Sequence, residues 1–241
     1  EGLQWWEDTL VNFYAENYSG IDPIHSLNFI YDWQYAHNPI QTGYEPIDRI
    51  SDDYTLWVPD FLTEVGYYDT GSIHTDIRTF NNAQRLTYGA DWAYTIFVVN
   101  DYGDTDLRFK EGGSFTQAFA FSGGRFLVAP AQRPPSTFAH ESGHMFYALD
   151  EYYPAGSYLN RRGYYNTQNL NAWDNPDPSY VDQPSIMYNG APLQTAWDNH
   201  TSSDSSFGAM GWEDSDGDGV FDVLEVPLTF AWTGFYGAGP H

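Results

Sequence analysis

Apolar residues along this chain recur at two spacings, and each spacing marks a different kind of element. Between positions 27 and 33 they occupy every second place, Leu27, Phe29, Tyr31 and Trp33, the alternation of a half-buried strand. Residues 51–67 change to helical spacing behind Ser51, a suitable N-cap, with Pro59 as an interruption inside the helix. A second helical pattern covers 76–88, where Ile77, Phe80, Ala83 and Leu86 return every three residues. Residues 92–99 are aromatic and β-branched, which predicts a buried strand. Over 118–129 two short apolar runs flank Gly123-Gly124, a hairpin signal. Pro134-Pro135 then stops the strand, Ser136 or Thr137 offers a cap, and 138–149 is helical. Beyond Asp150 the chain is rich in Pro, Gly, Asn and Ser, so it reads as mostly irregular and held by aromatics.

The composition narrows what such a chain can do. No apolar run approaches the ~20 residues of a membrane-spanning helix, so no membrane is expected as a partner. Against 9 Lys and Arg stand 33 Asp and Glu, a net charge of −24 that repels nucleic acid and anionic bilayers alike. Only 17% of residues are charged while 19% are aromatic, the balance of a folded protein rather than a disordered acidic tail. With 241 residues and no internal repeat, one domain with two closely packed lobes is expected. Cysteine is absent, which removes thiolate chemistry, Cys-ligated zinc and disulfides, and leaves His and carboxylates for any metal. An acidic, Lys-poor composition, and a chain opening at Glu1 as a processed product would, predict a secreted, extracellular monomer.

One motif carries catalytic chemistry. His140-Glu141-Ser142-Gly143-His144 falls on the last predicted helix, where the two His lie about 40° apart and one turn apart. Both imidazoles then reach one ion, and Glu141 flanks the open position as a general base. A third ligand must come from elsewhere.

The stretch from His140 to Tyr152, ending Leu149-Asp150-Glu151-Tyr152, resembles the active-site helix and exit turn of the metzincin metallopeptidases, snapalysin-like members in particular. Its ending is also similar to the IgA-cleaving metallopeptidase-like family. The resemblance implies a two-lobed α/β (α+β) zincin. A mixed sheet and the active-site helix would form an upper lobe over 1–144, and 145–241 an irregular lower lobe. It implies zinc on His140, His144 and Asp150, which stands where these families carry their third ligand, with Glu151 as the competing ligand. Ser185-Ile186-Met187-Tyr188 resembles the Met-turn, whose methionine forms a floor beneath the metal. Oxyanion stabilisation stays open among Tyr188, Tyr147 and Tyr152. Metzincins place Gly seven residues after the first His, whereas this chain has Tyr147. A continuing helix would carry Asp150 about 9 Å past His144 and about 120° around it, so the helix must end near Tyr147. The family also implies a polypeptide substrate aligned along an edge strand of the 118–129 hairpin. His200 reads as a surface loop residue that could line the site.

A second motif points to another ion. Asp214, Asp216, Asp218, Asp222 and Glu225, with Gly219 at the sharp turn and Val220 at the backbone-carbonyl position, match a twelve-residue calcium loop. Missing flanking helices suggest a single structural Ca²⁺ site. Asp101, Asp104 and Asp106 form a weaker acidic cluster. The function these features imply is a calcium-stabilised zinc endopeptidase. The alternative is a non-catalytic, calcium-dependent module that binds glycan or protein and carries a degenerate zincin helix.

Overall fold

The two apolar runs around Gly123-Gly124 pair with each other and seed the larger sheet. In the structure, a computed structural model that describes residues 1–18 and 23–225, strands β1 (Thr95–Val99), β2 (Phe119–Phe121) and β3 (Phe126–Pro130) lie in the order β1-β3-β2. Strand β3 runs antiparallel to β2 and parallel to β1, a mixed sheet. Every residue of central β3 is buried, as a strand covered on both faces requires. Gly123 and Gly124 turn the hairpin at φ 79° and 71°, left-handed backbone that glycine adopts without steric cost. Among the described residues β2 has no neighbour on its outer side.

Helices α3 (Tyr54–Glu64) and α4 (Ile73–Tyr88) cover one face of this sheet. Trp57, Phe61, Leu62, Ile77 and Phe80 meet Phe97, Phe126 and Val128 there, with Phe61 edge-on to Phe80 and Phe97 at 5.4 and 5.0 Å. Helix α5 (Pro135–Met145) packs against β2 and β3. A second core forms behind α5, where helix α1 (Gln4–Asn17) contributes Trp5, Trp6, Leu10 and Tyr14. These rings pack with Ala139, Ile186, Met187, Phe207, Trp212 and Phe221 from the second half of the chain. The smaller elements are α2 (Gln34–His37), a two-residue ribbon of β4 (Arg161–Arg162) and β5 (Thr167–Gln168), α6 (Gly190–Asn199), α7 (Asp204–Met210) and α8 (Asp222–Glu225).

The mixed α/β class expected from the pattern is present, while several elements differ from their expected form. Residues 27–33 are not a strand. Among the described residues no strand pairs with them, and the Phe29 N–H donates to the Glu7 carboxylate at 3.0 Å instead of to a ladder. Ser51 does not cap α3; it begins a 3₁₀ turn and its buried hydroxyl accepts the Phe115 N–H at 2.9 Å. Neither Ser136 nor Thr137 caps α5, because Pro135 occupies its first turn and the helix starts earlier. Its end comes at Met145 rather than 149. The second half is more helical than its Pro and Gly content implies, since α6 and α7 form within it. Helix α1 crosses the sequence division at 144 by packing with the second half, and residues 226–241 of the expected lower lobe lie outside the described residues.

Candidate metal centre

Helix α5 sets His140 and His144 one turn apart, their rings perpendicular with centroids 5.1 Å apart. His140 Nδ1 bonds the Ile186 carbonyl at 2.7 Å, and His144 Nδ1 bonds the Ala148 carbonyl at 2.8 Å. A carbonyl can only accept, so each Nδ1 carries a proton, and in its neutral form each ring presents an Nε2 lone pair. Both Nε2 atoms face Asp150 Oδ1, at 3.2 and 3.4 Å. That oxygen is buried and, among the described residues, accepts no hydrogen bond of sound geometry. The three candidate ligand atoms lie within 4.8 Å of one another. A tetrahedral ion with bonds of about 2.0–2.1 Å needs its ligand atoms about 3.3 Å apart, so this orphaned oxygen and the two nitrogens fit zinc.

Asp150 reaches the histidines because α5 ends sharply. The Tyr147 N–H donates to the His144 carbonyl at 3.1 Å and the Ala148 N–H to the Gly143 carbonyl at 3.1 Å, the paired bonds of a Schellman stop. Tyr147 occupies the position such a stop reserves for glycine, at φ 76°, which costs about 1–2 kcal/mol. Its ring packs over Gly123 and edge-on to Trp92 and Tyr164, which offsets that strain. The turn brings the Ala148 carbonyl back beneath His144 and leads the chain to Asp150. There Asn169 Nδ2 holds the Asp150 carbonyl at 2.8 Å, and the neighbouring Gly156 leaves no room for a side chain.

Glu151 points elsewhere. Its fully buried carboxylate accepts from Asn171 Nδ2 at 2.6 Å, from Ser206 Oγ at 2.9 Å and from Ser203 Oγ, while its N–H donates to the Met187 carbonyl. It therefore ties the Asp150 loop to residues 185–188 and to α7. In that turn the Tyr188 N–H donates to the Ser185 carbonyl and the Met187 N–H to Ser185 Oγ, both at 3.1 Å. Met187 is buried beneath α5, with its sulfur so close to Gly143 that a Cβ there would stand 2.5 Å from it. Trp6 closes the same floor and donates its indole N–H to the Ala139 carbonyl at 2.9 Å.

Glu141 borders the cleft beside the ligand group, only 7% exposed. Burial pushes its carboxyl pKa up, against the pull of His140 and His144. Burial alone would push His144 down, but the Asp150 carboxylate more than reverses this and holds it at about 9. Asp150 is pushed up by burial and pulled well below the usual carboxylate range by the two imidazoles. The cleft encloses about 620 Å³ including its open mouth, and Phe119 and Ala120 of β2 with Ser122 form its opposite wall. Of the three tyrosines considered, Tyr152 lines this cleft, whereas Tyr147 and Tyr188 do not. Burial, Asp150 and Glu141 raise the Tyr152 pKa far above its ordinary value, so it stays a neutral donor. His200 lies apart, stacked on Trp5 at 6.1 Å.

Asp214, Asp216 and Asp218 form a second convergent carboxylate group. Asp214 accepts the Gly217 and Gly219 N–H groups at 2.7 Å each, and Asp218 accepts the Val220 N–H at 2.8 Å. Asp222 instead accepts from the Ser215 N–H at 2.7 Å, and Glu225 is exposed at the end of α8. The loop is pinned to α1 through the Tyr14 hydroxyl, which donates to the Gly219 carbonyl at 2.7 Å. Asp101, in the weaker acidic cluster, is committed to Gln132 at 3.0 and 3.2 Å. The sequence held no signal for Trp6 or the Ile186 carbonyl, whose partners lie 133 and 46 residues away, nor for the Ala148 carbonyl, which reaches His144 only through the left-handed turn at Tyr147.

No helix among the described residues is long and apolar enough to cross a membrane. No family model, curated protein or solved structure matches the chain.

Proposed function

We propose that the protein is a zinc-dependent endopeptidase of metzincin type, secreted and stabilised by calcium. The observation that carries this reading is the convergence of His140 Nε2, His144 Nε2 and a partnerless Asp150 oxygen on one point, beside a buried Glu141. Zinc bound there would supply Lewis acidity, lowering the pKa of a water toward ~7 and polarising a carbonyl. The residues around it divide the remaining work. Glu141 takes the proton of the attacking water on its carboxylate and returns it to the leaving amine nitrogen, so it must begin ionised. The charge of a bound ion would favour that state against the burial that opposes it. Tyr152 is placed to donate its hydroxyl toward developing negative charge in the cleft. The edge of β2, unpaired among the described residues, offers backbone groups for an extended peptide, which would lie along the cleft wall as an added strand.

The test is a casein digest and a metal analysis of the wild type and Glu141→Ala. The variant should keep about one zinc per chain and lose about 10²–10⁴-fold in turnover, the usual share of a general base. Undiminished hydrolysis would remove Glu141 from the mechanism. Zinc bound by a wild type that cleaves no peptide would favour a binding module instead.

A further inference from the structure

Cations are scarce in this chain, and they are not scattered. Among the described residues the one ion pair made by a Lys or Arg is Arg49 with Asp53, although 33 acidic residues are available. Arg78 and Arg85, two turns apart on α4, line a pocket completed by Asn82, Trp92, Gly123 and Gly124. Arg85 is braced by Asn82, whose side-chain oxygen accepts from Nε and Nη2 at 3.2 and 3.1 Å. Trp92 adds a buried indole N–H with no partner among the described residues. Arg125 is tied to the same helix, its carbonyl accepting from Asn81 Nδ2 at 2.7 Å, and burial and the Arg78 charge both work against its guanidinium. Arg78, Arg85 and Arg125 thus bring three of nine cations together, at mutual electrostatic cost, in a molecule of net charge −24. Such a cluster would be relieved by a bound anion.

The position of the pocket says where the anion comes from. Ser122 lines the candidate metal cleft, and the next two residues, Gly123 and Gly124, line the arginine pocket. From Ala120 to Gly123, where the hairpin begins to turn, the chain covers at most about 10 Å. We propose that the Arg78–Arg85 pocket is a specificity subsite for an acidic side chain of the polypeptide substrate, carried about three residues from the scissile bond by a peptide lying along β2. This rests on the peptidase reading. Glycine at 123 and 124 belongs to the design, because side chains there would collide with Tyr147 and Trp92.

Peptides sharing one core sequence, with Glu, Gln or Lys placed two to four residues on either side of the cleaved bond, test the subsite in the zinc-loaded protein. The Glu peptide should show a KM about tenfold below that of its Gln counterpart at low salt, with kcat alike and the advantage shrinking as salt rises. Arg78→Gln/Arg85→Gln should abolish that preference and leave the Gln peptide unchanged, and each single variant should fall between. Equal KM for Glu and Gln peptides in the wild type overturns the subsite while leaving the peptidase reading intact. A second arm uses the metal-free protein and reads quenching of tryptophan fluorescence by tetraglutamate and, separately, by inorganic sulfate. Tetraglutamate binding that disappears in the double variant supports the subsite even if no peptide is ever cleaved. Binding that persists in the double variant, or is absent from the wild type, overturns it. Sulfate binding as tightly as the peptide assigns the pocket to a free oxyanion and overturns the substrate assignment.

Discussion

Two adjacent carboxylates, Asp150 and Glu151, meet different surroundings and should fail differently. Asp150 presents a partnerless oxygen to two imidazoles, so Asp150→Ala should yield mostly zinc-free protein that remains folded. Glu151→Ala should keep the ligand group but leave Asn171, Ser203 and Ser206 without their acceptor, a loss of about 3 kcal/mol or more. Zinc stoichiometry and urea unfolding of the two variants check the pair, and a reversed pattern would move the ligand to Glu151. The same site has a pH signature. His144 rises from 6.5 to about 9 in the metal-free protein, so its charged form contributes stability below pH 6.5 that is lost as pH climbs through about 9. Zinc needs the neutral ring, so binding at pH 7.5 should release close to one proton from His144. Calorimetry in buffers of different ionisation enthalpy would count it; no release would mean that His144 is already neutral.

At the scale of elements, α5 works because of what lies under it. Gly143 touches the Met187 sulfur and the Trp6 ring, so Gly143→Ala should destabilise the protein despite alanine's higher helix propensity, by about 1–3 kcal/mol as overpacking does. A thermal melt and the zinc affinity would report it together, and an unchanged melt would show that the floor can yield. Much of α5 was legible beforehand: its motif by spacing, and its early stop from the distance Asp150 must cover. Tyr147 shows why the stop was hard to read, since a glycine would have announced it and a tyrosine held by Gly123, Trp92 and Tyr164 does not. The alternation over 27–33 misled for the opposite reason. Its pattern is that of a strand, but a strand exists only where another offers backbone groups, and none does here. Helix α1 gave little warning because its buried residues, Trp5, Trp6, Thr9, Leu10 and Tyr14, make only a weak stripe and find their partners far along the chain.

Across the whole molecule, the acidic loop at 214–225 connects to the metal centre through α1. Phe221 packs against Tyr14 and Phe13 and lies parallel to Trp212, while Trp6 of the same helix supports α5. Calcium in that loop should therefore stabilise more than the loop, by about 2.7 kcal/mol at a hundredfold excess over its Kd. After chelation, calcium alone should restore the melting temperature and protease resistance, and zinc alone should not. If Asp216→Ala/Asp218→Ala melts like the wild type with and without calcium, the loop is an ordinary acidic turn.

The same helix has a consequence for how the chain is made. Trp6 waits for Ala139, Trp5 for Trp197 and Tyr14 for Gly219, partners 133, 192 and 205 residues later. During synthesis α1 emerges well before these neighbours, so two tryptophans, Leu10 and Tyr14 stay uncovered until the later segments follow. Such long-range closure belongs to slow-folding, high-contact-order proteins. A chain halted before Trp212 would retain the histidines of α5 yet lack much of the wall that closes over α1, and it should aggregate rather than fold.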